Sequence, residues 1–193
     1  MVLPADRKTL IAEWVMGNHH PFTFFWGHTP PDGADGPGPW VLSQWYPAVT
    51  VVDRVEYPTA EHYMMTEKAK LFRDKKALAK IASSDDPAVA KEAGREVRGY
   101  VDAVWASMRY SIVCEGCYGK FANDEALATY LMGTKGSILV EASPKDTVWG
   151  IGLGADDDAA KDPTTWKGDN LLGFALMDAR LRLLREAHAK ANK

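Results

Sequence analysis

Only two cysteines occur in the chain, no apolar run is long enough to cross a membrane, and neither sign of charge dominates. Cys114 and Cys117 form a single C-x-x-C pair, which supplies at most two metal ligands. The preceding Met108–Val113 segment looks helical, so the pair reads as packing thiols, with a redox or metal role as the alternative. Without a basic start followed by an apolar stretch, neither a membrane span nor a secretion signal is supported, and the cytoplasm is the default location. The 23 basic and 26 acidic side chains give a formal charge of -3, no bulk electrostatic reason to hold duplex nucleic acid tightly. A local positive pocket is still compatible with that total. H-E-x-x-H, the P-loop and the Rossmann glycine pattern are also absent. Gly150-Ile151-Gly152-Leu153-Gly154 alternates glycines, but Asp156-Asp157-Asp158 follows where a phosphate cradle would want no negative charge. No metal or cofactor is expected.

The chain does have enough apolar residues, 46% of 193, to bury a real core in one domain. Residues 7–16 read as a first helix with Leu10, Ile11, Trp14 and Val15 on one side, stopped by Gly17-Asn18. Phe22–Trp26 has strand character, and a Gly/Pro/Asp-rich loop runs on to Pro39. Val41–Tyr46 reads as an extended run that Pro47 ends early, and it leads to Val49–Val52 and Val55–Tyr57, two short strands joined by a tight turn at Asp53-Arg54. Helices follow over 60–72 and 74–82, with Thr59 as N-cap of the first. A third starts from Ala88, with Asp86 as cap and Pro87 at the first position. Val101–Val113 presents Val101, Val104, Trp105, Met108, Ile112 and Val113, and residues 124–132 make a shorter helix. Ser137–Ala142 is the clearest later strand, and Leu171 to about Ala187 a final helix with Leu172, Leu176, Ala179, Leu183 and Leu184 available for packing. Helices around a few short strands, without repeated βαβ units, describe a mainly helical α+β domain.

Candidate chemistry gathers at element ends. Glu61 opens the helix over 60–72 and Lys68 lies seven residues on, within about 20° of the same face and roughly 10 Å further along the axis. That is too far for a simple ion pair and about right for reaching opposite ends of one sugar. At a first turn Glu61 stays ionised unless it is buried or faces a ligand oxygen; a favourable first-turn charge and a solvated lysine are the bland readings. Arg95 and Arg98, three apart on one side, suit a phosphate or diphosphate, or simply pair with Glu92 or Asp102. Trp26, Ser43, Trp105, Trp149, Asp146 and Asn170 complete the candidates: Trp105 and Trp149 as pocket walls or core, Asn170 as an N-cap or a ligand to a ribose or phosphate oxygen. His62 lies 100° round the helix from Glu61 and reads as a packing histidine.

Several motifs in order give the chain a specific resemblance. They are Phe24-Phe25-Trp26, Leu42-Ser43-Gln44-Trp45-Tyr46-Pro47, Tyr57-Pro58-Thr59-Ala60-Glu61-His62-Tyr63-Met64-Met65 and Glu67-Lys68-Ala69. Ala93-Gly94-Arg95, Trp105, Met108-Arg109, Lys120-Phe121 and Leu139-Val140-Glu141-Ala142-Ser143 follow. Asp146-Thr147-Val148-Trp149-Gly150-Ile151-Gly152 and Asn170-Leu171-Leu172-Gly173 with Leu176-Met177 close the series. Together they resemble the NADAR, or YbiA-like, family. The resemblance implies a YbiA-like catalytic domain over 21–190 after an N-terminal helical extension over 1–20. It also implies hydrolysis of an N-glycosidic bond between ribose and a base or amine. Relatives act on phosphorylated pyrimidine intermediates of riboflavin synthesis or remove ADP-ribose from guanine in nucleic acid, and both are candidate substrates. By motif match Glu61, Lys68, Trp105 and Asp146 carry over as the functional set. Gln44 stands where the family commonly has asparagine, which keeps an amide and adds a methylene.

Cleaving such a bond needs charge stabilisation at C1′ and a proton for the departing nitrogen. Lys68 as a covalent nucleophile forming an imine, with Glu61 moving protons and Asp146 orienting ribose or water, is one scheme. Direct attack by water is another. The competing class is a non-catalytic module that recognises ADP-ribose or a related nucleotide.

Overall fold

The computed structural model describes residues 3–192. Among the described residues, five of the seven α-helices begin where acidic or hydroxyl side chains accept the free backbone N–H groups of a first turn. Asp6 does so for α1 (Arg7–Val15), Thr59 for α2 (Ala60–Leu71), Asp74 for α3 (Lys75–Ile81) and Asp86, with Pro87 behind it, for α4 (Pro87–Arg95). Then come α5 (Asp102–Ala122), α6 (Glu125–Gly133), capped by Asp124, and α7 (Leu171–Ala191). The strands are β1 (Phe22–Phe25), β2 (Thr50–Val52), β3 (Val55–Tyr57) and β4 (Ile138–Glu141). This is the mainly helical α+β domain that the sequence pattern implies, and among the described residues no helix is long and apolar enough to cross a membrane.

Two small sheets organise the helices. β1 and β4 pair in parallel, from Phe22 opposite Ile138 to Phe25 opposite Glu141, although more than a hundred residues separate them in the chain. Ile138, Leu139 and Val140 are fully buried, and α7 packs against them so closely that a Cβ on Gly173 would collide with the Leu139 carbonyl. β2 and β3 form the expected hairpin. Both of its turn residues, Asp53 and Arg54, have positive φ, the combination a two-residue hairpin turn demands even without glycine. α5 packs against α7, α2, α6 and β2 and so ties both sheets to one core. α1 is docked on the same body: Leu10 is fully buried, and the Trp14 ring stacks on Phe22 at 5.8 Å.

Three sequence expectations change. Val41–Tyr46 is not extended. Pro39–Leu42 is a 3-10 turn, because the Val41 and Ser43 carbonyls accept hydrogen bonds from the buried Lys120 ammonium at 2.6 and 2.7 Å rather than from a neighbouring strand. α5 runs nine residues past Val113, through both cysteines. Only glycine fits at position 119, because the helix passes so close to β2 that any Cβ would collide with the Val51 carbonyl. The apolar stripe expected on α5 is only half buried: Trp105 and Val113 enter the core, whereas Val101, Val104 and Met108 face solvent. The first turns of α5 stand at the edge of the body, where they wall a cleft instead of filling the core. Cys117 lies in the core and Cys114 beside Asp178, and burial raises both thiols, so they remain protonated packing groups.

Asn170 shows how the fold is locked. It is fully buried in the left-handed conformation with φ 55°, ahead of α7. Its Oδ1 accepts from the Glu141 amide at 2.9 Å and its Nδ2 donates to the Leu139 carbonyl at 2.8 Å, so one side chain stitches α7 to β4. Asn170→Ala leaves two buried backbone groups unpaired and is expected to cost about 3 kcal/mol of stability. Asn123→Ala, which loses one long exposed contact, should change little. Urea unfolding of the two variants measures the difference.

Candidate active site

α2 enters the core with its first turn. The Thr59 hydroxyl caps it and also meets His62 Nδ1 at 2.8 Å, while His62 Nε2 reaches the Ser84 carbonyl at 2.9 Å. His62 is therefore a satisfied packing histidine. The Glu61 amide donates to the Gln44 carbonyl at 3.1 Å, which pins the helix start to the loop that Lys120 holds from the other side. Glu61 is only 3% exposed, and its Oε1 has no hydrogen-bond partner. Burial pushes its carboxyl up to about 7; Lys91 and the Trp45 indole oppose the shift, and Asp146 adds to it. The first-turn position alone would have favoured the ionised form, but loss of solvent is the larger effect.

Two turns along α2, Lys68 faces the same cleft as Glu61, a space of about 330 Å³. Its ammonium sits 4.5 Å from the centre of the Tyr100 ring and 5.5 Å from that of Trp105. Partial burial lowers its pKa, while Glu61 and Asp102 work against the drop. Asp146 joins from the turn after β4, where its Oδ1 accepts from the Val148 and Trp149 amides at 2.9 and 2.7 Å. Trp105 and Trp149 both line the cleft. Lys91 and Arg95 from one side of α4 and Arg109 from α5 add positive charge to its walls. The arrangement thus offers a carboxyl with a proton to give near neutral pH, an amine that is easier to deprotonate than usual, and cationic groups around them.

Of the candidates read from sequence, Glu61, Lys68, Asp146, Arg95, Trp105 and Trp149 come together. Arg98 goes elsewhere. α4 ends at Arg95, so the chain turns before Arg98, whose guanidinium bonds the Asp74 carboxylate at 2.6 and 3.0 Å in a separate crevice. Those hydrogen bonds hold Asp74 well below the usual carboxylate range. The expected pairing of Arg95 with Arg98 is therefore replaced by Arg95 with Lys91. Asn170 stitches backbone and does not line the cleft. Trp26 is 66% exposed beyond β1, and the Ser43 hydroxyl accepts from the Trp45 amide at 3.2 Å. Gln44 is buried; its carbonyl receives Glu61, and its Nε2 has no partner. Lys91, Tyr100, Asp102 and Arg109 were missed. The signal was present in helical spacing: Lys91 lies four before Arg95, and Asp102, Trp105 and Arg109 share one face of α5.

Residues 24–184 match the NADAR domain. The chain belongs to the NADAR family. An N-glycosidase of Acanthamoeba polyphaga mimivirus is 37% identical over 145 residues, covering 72% of this NADAR chain and 85% of the viral protein. N-glycosidase YbiA of Escherichia coli is 30% identical over 135 residues, covering 70% and 76% of the two chains. The NMR structure of YbiA superposes with a TM-score of 0.68 and 26% identity over 87% of this chain and 88% of that one. The maize chloroplastic riboflavin biosynthesis protein PYRR is 30% identical over 146 residues, which is 22% of its length.

Burial of Glu61 has a consequence for stability. Its proton is held more tightly folded than unfolded, so its stabilising contribution is complete below about pH 4.5 and is lost as pH rises through about 7. Glu61→Gln removes that slope. The variant should be more stable than the wild type at pH 8, by about 3 kcal/mol, and nearly equal to it at pH 4.5, as measured by urea unfolding at both pH values.

Proposed function

We propose that the cleft breaks the bond between C1′ of a ribosyl group and the nitrogen of a base or amine, with Lys68 as nucleophile and Glu61 as proton donor. N-glycosidase activity belongs to the chain through its family; the residue roles and the substrate are the proposal. One observation carries it. A buried carboxyl that keeps its proton near neutral pH and a desolvated amine line one cleft from the same face of one helix.

Glu61 protonates the departing nitrogen as the Lys68 amine bonds to C1′ and the C–N bond breaks. Loss of a proton from the new C1′ amine and opening of the ring, with the ring oxygen protonated, give an imine. Water then adds to C1′ and releases Lys68 and the free sugar, so one water is consumed per turnover. Asp146, fixed by two backbone amides, orients the ribose hydroxyls or that water. Trp105 and Trp149 flank the sugar and the planar leaving group.

Lys91, Arg95 and Arg109 suit a substrate carrying phosphate or diphosphate at the 5′ position, since guanidinium and ammonium groups pair with phosphate oxygens. Phosphoribosyl aminopyrimidines and ADP-ribosylated guanine both meet that description. The maize relative's name favours the first, and the second would be taken as a terminal or unpaired nucleotide rather than as duplex.

Mass spectrometry of the products from aminopyrimidine ribosides, their 5′-phosphates, ADP-ribosyl guanosine and ADP-ribosylated DNA or RNA tests the reading. Free base or amine should appear with at least one of them, and Glu61→Gln and Lys68→Ala should each lower kcat by about 100-fold or more. Arg95→Ala should raise KM for the phosphorylated substrate by about 10-fold, with Arg98→Ala near wild type. Tight binding with no product, unchanged in Glu61→Gln, overturns the reading in favour of a nucleotide-binding module.

A further inference from the structure

Among the described residues the Lys68 ammonium makes no salt bridge. Two aromatic faces hold it instead, Tyr100 at 4.5 Å and Trp105 at 5.5 Å from the ring centres. Trp105 has a place beside the sugar in the scheme above, and Tyr100 has none. Yet Tyr100 is itself held on three sides. Gly99, with φ 72°, turns the chain ahead of it, its hydroxyl donates to Asp102 Oδ1 at 2.8 Å, and the Phe72 ring packs against it at 5.4 Å. Lys68 and Phe72 are four residues apart, so they stand one above the other on the same side of the end of α2. The Tyr100 ring therefore bridges the last turn of α2 to the start of α5, with the amine on its face. Tyr100, Asp102, Trp105 and Lys68 all line the cleft that Glu61 also lines. A carboxylate in the place of the ring would tie the ammonium into an ion pair and strengthen its hold on the proton, which partial burial loosens. An aromatic face attracts the charge through its quadrupole and accepts no proton.

We propose that Tyr100 is a positioning residue acting through Lys68: the face of its ring fixes the amine within reach of the sugar carbon, and its hydroxyl bond to Asp102 keeps the ring turned to receive it. This rests on the reading of Lys68 as the nucleophile. Without the ring the lysine keeps its chemistry but spreads over many rotamers, and only a small fraction of them present the nitrogen at attacking distance. Trp105 does not replace Tyr100, since its ring centre is the more distant of the two. The loss falls on the chemical step and not on binding, because Lys91, Arg95 and Arg109, the groups suited to phosphate, stay in the cleft wall.

The test has two readouts. Tyr100→Leu should lower kcat by about 10-fold or more while KM holds, and Tyr100→Phe, which keeps the ring and loses only the hydroxyl, should recover most of that loss. A wild-type kcat in Tyr100→Leu, or a loss in Tyr100→Phe as deep as in Tyr100→Leu, overturns the proposal. The second readout begins with the wild type and needs no turnover. In proton–carbon NMR spectra the ε-methylene signal of Lys68, assigned by its disappearance in Lys68→Arg, should lie upfield of the ordinary lysine position, because a group above an aromatic face is shielded by the ring. Tyr100→Leu should move the signal downfield and Tyr100→Phe should leave it in place. A wild-type signal at the ordinary position overturns the contact and the proposal with it, and an upfield signal unmoved in Tyr100→Leu does the same by assigning the shielding to Trp105. If the wild type cleaves none of the ribosylated substrates, the reading of Lys68 as nucleophile fails, and a shifted signal then shows a contact that serves no such reaction.

Discussion

Everything in the cleft depends on keeping water away from the Glu61 carboxyl. A glutamate in the first turn of a helix is ordinarily held as an anion by the free N–H groups there. Here the surrounding structure reverses that preference. The buried Lys120 of α5 grips the Val41 and Ser43 carbonyls, the next carbonyl, that of Gln44, receives the Glu61 amide, and Thr59 caps the turn. Those contacts fix where α2 enters the core and leave its first carboxyl enclosed with one oxygen unmatched. Lys120 shows the same physics in the opposite sense, since burial without a carboxylate partner brings its amine down to about 7.

The fold offsets these liabilities elsewhere. Strand β4 is wholly apolar until its last residue, and α7 and Asn170 lock it in place, so the turn carrying Asp146 and Trp149 rises from a rigid base. The opposite wall is built differently. The start of α5 and the end of α4 leave the core and present Asp102, Trp105, Arg109, Lys91 and Arg95 to the cleft. A rigid acidic floor beneath a more exposed cationic rim suits a substrate whose reacting bond lies deep and whose charged end stays near solvent.

Much of this was legible in the chain. The seven-residue spacing of Glu61 and Lys68 placed both on one face, and Thr59, Asp86 and Pro87 marked helix starts that the structure retains. Arg98 was misplaced because helical periodicity was extended past Arg95, where the helix stops and Asp74 supplies a stronger local partner. Burial was the least legible property. Nothing in the local sequence tells that Glu61 loses solvent, because the groups around it, Gln44 and Trp45, Lys91 of α4 and Asp146 after β4, come from other parts of the chain. Asn170 looked like a ligand or an N-cap, and its work as a stitch between α7 and β4 depends on a pairing thirty residues away.

The central claim is that an acid and an amine carried by one helix act on the same pentose carbon. Borohydride added during turnover, followed by peptide mapping, tests it most directly. The account predicts a reduced sugar adduct on Lys68 alone, formed only when substrate is present and strongly diminished in Glu61→Gln. Steady product release with no adduct on Lys68 would contradict it.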